Sequence, residues 1–68
     1  MAYQVSLAAA RVNANLTQVQ AAKKIGVSKD SIIKWEAGKA SPSATKFKKL
    51  CAVYGVPMDI IFLPESLL

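Results

Sequence analysis

The side chains able to do chemistry in this chain are almost all of one kind, and they are crowded into its middle. All eight lysines lie between Lys23 and Lys49, where the only acids are Asp30 and Glu36, so this stretch carries +6. The whole chain carries +5, from nine basic and four acidic residues, so the flanks are close to neutral. A basic stretch of this kind is either the electrostatic footprint of a polyanion partner or a solubilising surface, and charge by itself does not separate the two. Catalysis has little to work with. There is no histidine, a single cysteine, and no cluster of acids for metal binding or proton transfer. No enzymatic activity, metal or cofactor is expected.

Spacing is more informative than charge. Residues 16–39 hold two short amphipathic helical patterns joined at Ile25-Gly26-Val27, too tight a connection for two ordinary stacked helices. Two helices crossing steeply over such a turn form a helix-turn-helix, whose second helix can enter a DNA major groove. Here that second helix is expected from its cap Ser28 to about Ala37. Ile32 and Trp35, three apart with Ser31 beside them, fall inward, while Lys29, Asp30, Ile33 and Lys34 fall outward. An isoleucine exposed among charges has little structural rationale, but the methyl groups of thymine give it a chemical one. Trp35 reads as core packing rather than as a base-stacking residue.

The remaining elements must hold that pair in place. A first helix is expected over Tyr3 to Val12, with Val5, Leu7, Ala10 and Val12 as its apolar candidates and Asn15 as the stop beyond it. Thr17 and Gln20 match a capping box at the start of the second helix. Val19, Ala22 and Ile25 repeat along one face of it, and Gly26 can take the positive φ of a sharp turn. Ser43 caps a fourth helix running to Tyr54, with Phe47, Leu50, Cys51 and Tyr54 as its apolar stripe and Gly55 as its stop. Pro57 pre-sets a short fifth helix, Met58 to about Leu63, which Pro64 interrupts. The expectation is an all-α, compact five-helix architecture in a single domain, 1–68, with the helix-turn-helix at about 17–37 and a C-terminal short helix and tail over 57–68.

Cys51 falls within the fourth-helix stripe and reads as a buried core thiol. A lone cysteine excludes an internal disulfide and fits a reducing cytoplasm. No apolar run reaches the ~18 residues of a membrane span, and the N-terminus lacks the pattern of a signal peptide. A cytoplasmic location without membrane association is therefore expected.

With these residues in view, the chain resembles the phage Cro and repressor type of helix-turn-helix domain, a lambda-repressor-like fold shared with xenobiotic-response-element-like regulators. The matching positions are Arg11, Leu16-Thr17-Gln18, Ala22, Ile25-Gly26-Val27, Ser28, Ser31-Ile32, Trp35, Glu36, Gly38-Lys39 and Pro42. The ending, Leu50 to Gly55-Val56 and then Met58 to Phe62, follows the same pattern, so the resemblance covers roughly Leu7 to Phe62. It implies a structural ion pair between Arg11 and Glu36 that orients the third helix. It places Ser28, Lys29, Asp30, Ile33 and Lys34 against the groove, where lysine can donate to guanine, Asp30 can accept from cytosine N4, and Ile33 can touch thymine methyls. Asp30 is equally readable as an ion-pair partner of Lys34, four residues on. The resemblance places Gln18 and Lys39 at the DNA backbone, and Lys46, near the start of the fourth helix, could also reach a phosphate. One departure matters: the family often reads E-N-G-K, and Ala37 replaces that asparagine, which removes one phosphate contact.

The reading is a small sequence-specific transcriptional regulator, a repressor binding a palindromic operator on double-stranded DNA as a homodimer. No small-molecule ligand is expected. The dimer contact is assigned to Ile60, Phe62, Leu67 and Leu68 in the apolar C-terminal segment. A second reading, from a different class, is a protein-interaction module of antitoxin or adaptor type; the basic, polar outer face of the third helix argues against it.

Overall fold

The computed structural model describes residues 4–62. Along the chain it places β1 at Val5–Ser6, α1 at Leu7–Asn13, α2 at Gln18–Ile25, α3 at Lys29–Ala37 and α4 at Ala44–Tyr54. A 3-10 turn at Met58–Ile60 then leads into β2 at Ile61–Phe62. The two strands pair in parallel, Val5 opposite Ile61 and Ser6 opposite Phe62.

This corrects the expected all-α, five-helix architecture at both ends. The first helix does not begin near Tyr3: Val5 and Ser6 are extended, and Ser6 is the cap of α1, its Oγ accepting from the Ala9 amide at 3.0 Å. The fifth helix lasts a single 3-10 turn, because Ile61 adopts φ −87° and ψ 128° and joins β1 instead. β-branched residues at Val5 and Ile61 favour that outcome, since a pleated, half-buried surface suits them better than a helix does. Tyr3 and Leu63, the outer ends of those two expected helices, lie outside the described residues, as do Leu67 and Leu68.

The inner elements follow from their caps. Thr17 Oγ1 accepts from the Gln20 amide at 3.1 Å, while Gln20 Oε1 accepts from the Thr17 amide at 2.9 Å, so both partners of the box are in place. Ser28 and Ser43 cap α3 and α4 through the hydroxyl alone, accepting from the Ser31 and Lys46 amides. Asn15 closes the α1 turn at φ 61°, and Gly26 ends α2 at φ 79°. At Gly26 the left-handed backbone is what bends the chain sharply enough for α3 to follow α2 within three residues.

The core forms where α2 packs against both α3 and α4, closed by α1 and the strand pair. Ile32 and Leu50 are its largest fully buried side chains, with Leu7, Ile25, Trp35 and Tyr54 around them. Of the stripe expected on α2, Ala22 and Ile25 are buried and Val19 is not. Val19 is 42% exposed, and Ala21, fully buried, takes its place beside Ala22 and Ile25. Alanines at the crossing let the α2 backbone approach its neighbours closely, which a valine facing inward would prevent. Val12, expected among the apolar contacts of α1, lies mostly in solvent. Among the described residues, no helix is long and apolar enough to cross a membrane.

Candidate nucleic-acid interface

α3 presents two chemically opposed faces. Ile32 and Trp35 are buried, which anchors the helix, and Lys29, Asp30, Ile33 and Lys34 are all exposed on the other side. Ile33 keeps 39% of its surface in solvent, an apolar side chain among three charged ones. Within that face Lys34 Nζ lies 3.2 Å from Asp30 Oδ2, an i,i+4 pair whose side chains both remain more than half exposed. So exposed a pair stabilises the helix by a few tenths of a kcal/mol at most, and it leaves both groups able to exchange partners.

Ser28 sits at the N-terminal edge of this face. Its Oγ accepts from the Ser31 amide at 3.2 Å and lies 3.1 Å from Ser31 Oγ. The hydroxyl is therefore committed to capping α3, with capacity for one further contact. Lys39 is exposed in the loop that follows α3, and Lys46 is half-buried in the first turn of α4.

Behind the face, three helices converge on one carboxylate. Arg11 Nε donates to Glu36 Oε2 at 2.7 Å and Arg11 Nη2 to Glu36 Oε1 at 3.3 Å. Arg11 Nη1 donates to the Leu16 carbonyl at 2.8 Å, which ties the α1–α2 loop to the same guanidinium. Gln18 Nε2 adds a third donor to Glu36, reaching Oε1 at 3.0 Å. The side chains of Arg11 and Glu36 retain only 14% and 9% of their surface. The hydrogen bond to Glu36 raises the Arg11 pKa further, against the opposing effect of burial. Tyr54 is buried within reach of the Glu36 charge, and burial first, with that charge adding to it, pushes its phenol up to about 12. Burial also raises the Cys51 thiol, which keeps it protonated and inert in the core.

Two short helices joined by a glycine turn, with a charged outer face and a buried inner face on the second, are the arrangement of a DNA-reading helix-turn-helix. Residues 7–61 match the family model described as Helix-turn-helix, of the Cro/C1 type. The chain belongs to that family. It is 45% identical over 52 residues to an uncharacterized HTH-type transcriptional regulator of Methanocaldococcus jannaschii, covering 76% of this chain and 79% of that protein. A second uncharacterized HTH-type transcriptional regulator, from Archaeoglobus fulgidus, is 34% identical over 78% of this chain and 75% of its own length. The HTH-type transcriptional activator BcrR of Enterococcus faecalis is 34% identical over the whole of this chain, which spans 33% of that protein. No solved structure matches the chain with significance.

In this Cro/C1-type domain, Lys29, Asp30, Ile33 and Lys34 share the outer face of α3, with Ser28 at its edge. Ile60 is half-buried and packs against the core, whereas Phe62 and Met58 are both exposed, at 45% and 46%. Two features escaped the sequence reading. Ser6 was available as a cap, since a serine followed by a run of alanines is a helix-start signal. The bond from Gln18 to Glu36 had no such local sign, because it joins residues 18 apart across the helix pair. Among the described residues, no group of three or more His, Cys, Asp or Glu is placed to hold a metal ion.

Proposed function

We propose that this helix-turn-helix domain is a transcriptional regulator that reads a palindromic operator as a homodimer, with α3 in the major groove. The observation that carries the reading is the outer face of α3. Its apolar Ile33 and its charged Lys29, Asp30 and Lys34 are held in the open by a helix whose opposite side is buried. Ile33 meets thymine methyls, the two lysines donate to guanine O6 or N7, and Asp30 accepts from cytosine N4 when it leaves Lys34. Ser28 supplies its spare hydroxyl contact at the helix start. Lys39, Lys46 and the main-chain amide of Gln18 hold the backbone, Gln18 through the positive end of α2.

Dimerisation follows from the information needed. One α3 touches too few bases to specify a site, and two copies on adjacent half-sites sit ~34–36 Å apart. The protomer measures 33 × 28 × 19 Å, so neighbours at that spacing come within contact distance. The apolar C-terminal segment is the stretch we assign to that contact, with Ile60, Phe62, Leu67 and Leu68 as its candidates. We favour repression, because occupancy of a promoter is enough to block it, whereas activation needs a further productive contact with the transcription machinery. A DNA partner also sets the compartment, the cytoplasm.

Selection from a random duplex pool at physiological salt, followed by sequencing, tests the reading. The expected result is an inverted repeat with half-sites ~10 bp apart. Retention without enrichment, disappearing as salt rises, would leave only nonspecific lysine–phosphate attraction and would sink it.

A further inference from the structure

The bond between Gln18 and Glu36 has no role in the contacts assigned so far. Gln18 is the first residue of α2 and Glu36 the last but one of α3. The two helices are already joined at their near ends through Gly26, so this bond ties their far ends together. Core packing sets the angle between the two axes, and a polar bond at the ends away from the turn adds a directional restraint to it. The tie acts on that angle at the full length of each helix, ~12–13 Å at 1.5 Å per residue. The Glu36 carboxylate cannot swing to follow a displaced Gln18, because Arg11 holds both of its oxygens from α1. The strap is thus anchored at a fixed point.

Resting on the DNA-reading function above, we propose that the Gln18 carboxamide is a specificity-determining positioning residue. The side chain sets the pose of α3 through Glu36, and the DNA backbone contact of this residue is left to its main-chain amide. Base-edge hydrogen bonds weaken steeply when a donor is displaced by a few tenths of an ångström or turned off axis. Lysine–phosphate contacts, made by long flexible side chains to a continuous anionic backbone, adjust to the same shift. Loosening the strap therefore costs discrimination between sequences rather than attraction to DNA.

Gln18→Met tests this, since it keeps the unbranched length of the side chain and deletes its N–H donors. Binding is measured to the selected duplex and to a scrambled duplex of equal length, with circular dichroism as the check on folding. The expected result is a specificity ratio about tenfold below wild type, with the loss concentrated on the selected duplex. Equal losses on both duplexes would show that the side chain grips a phosphate, and an unchanged ratio would show that the strap is idle; either overturns the proposal. A wild-type protein with no preference between the duplexes would overturn the DNA reading as well, which separates the two failures. Should Gln18→Met fail to fold, the side-chain amide resonances of Gln18 are followed in the wild-type protein by NMR. They are expected to stay in place as the selected duplex saturates it, and a large shift confined to them on binding overturns the proposal.

Discussion

Glu36 is the residue on which most of the interface depends, because a carboxylate with so little exposed surface is tolerated only while its partners stay in place. Replacing Arg11 with methionine keeps much of the packing volume but leaves Gln18 as the remaining donor. The expected cost is about 3 kcal/mol, since an ion pair broken from one side leaves an uncompensated charge. Against the ~5 kcal/mol typical of the lower range of domain stabilities, that leaves the variant near its unfolding midpoint. Urea denaturation checks it, and a shift in midpoint of only a few tenths of a molar would contradict it. Tyr54 makes a separate prediction in pH. Its folded pKa of about 12 lies above the ordinary value of 10.0, so the native state holds the phenolic proton more tightly than the unfolded chain does. The contribution is fully present below pH 10 and is lost as pH rises from 10 towards 12, reaching on the order of 2 kcal/mol. Tyr54→Phe should therefore show a shallower alkaline loss of stability than wild type, measured by thermal denaturation across that window.

At the scale of elements, short helices depend on their ends. α2 has eight residues, too few to be stable alone, and its capping box and glycine stop are both local devices. Thr17→Ala removes the hydroxyl acceptor of the box and is expected to cost about 1 kcal/mol. Gly26→Ala isolates the backbone term cleanly. An added Cβ there meets nothing within 4 Å, so the penalty comes from the left-handed φ of 79° alone. That penalty is expected at about 1–2 kcal/mol, and Gly26→Asn should recover part of it, because asparagine tolerates this conformation better. Equal midpoints for the alanine and asparagine variants would contradict this account. These elements were legible in the sequence for the same reason that they are fragile: Thr17, Gln20, Gly26, Ser28 and Ser43 act on amides within a few residues of themselves. The β1–β2 pair was not legible. Each strand is two residues long, too short to show an alternation, and its partner lies at the other end of the chain.

For the whole molecule, that strand pair draws both ends of the described chain onto the helical core. Ile61 is its buried member, and Ile61→Ala is expected to cost about 2–3 kcal/mol by opening a cavity and freeing the clasp. Native-state amide exchange should then show Val5 and its neighbours opening well before α3. Uniform loss of protection would mean that the clasp is not a separate unit. Charge acts at this scale too. If Lys39 holds a phosphate, Lys39→Ala should weaken binding to every duplex alike and reduce the slope of log affinity against log salt by about 1 per protomer.

What the sequence by itself determined is the set of local commitments: where α2, α3 and α4 begin and end, and which residue types face outward from α3. Those follow from side chains bonding neighbouring amides and from helical periodicity, and both operate within a few positions of chain. Even so, periodicity missed one position on the inner face of α2, where Ala21 and not Val19 joins Ala22 and Ile25 in the core, because adjacent faces of a short alanine-rich helix differ little in apolar content. Only the tertiary structure decided that β1 pairs with β2, that Gln18 turns in to Glu36, and that Ile61 enters the core from a strand and not from a helix. Each of these depends on bringing distant segments within a few ångströms, and that distance is set by the packing of α2 against α3 and α4.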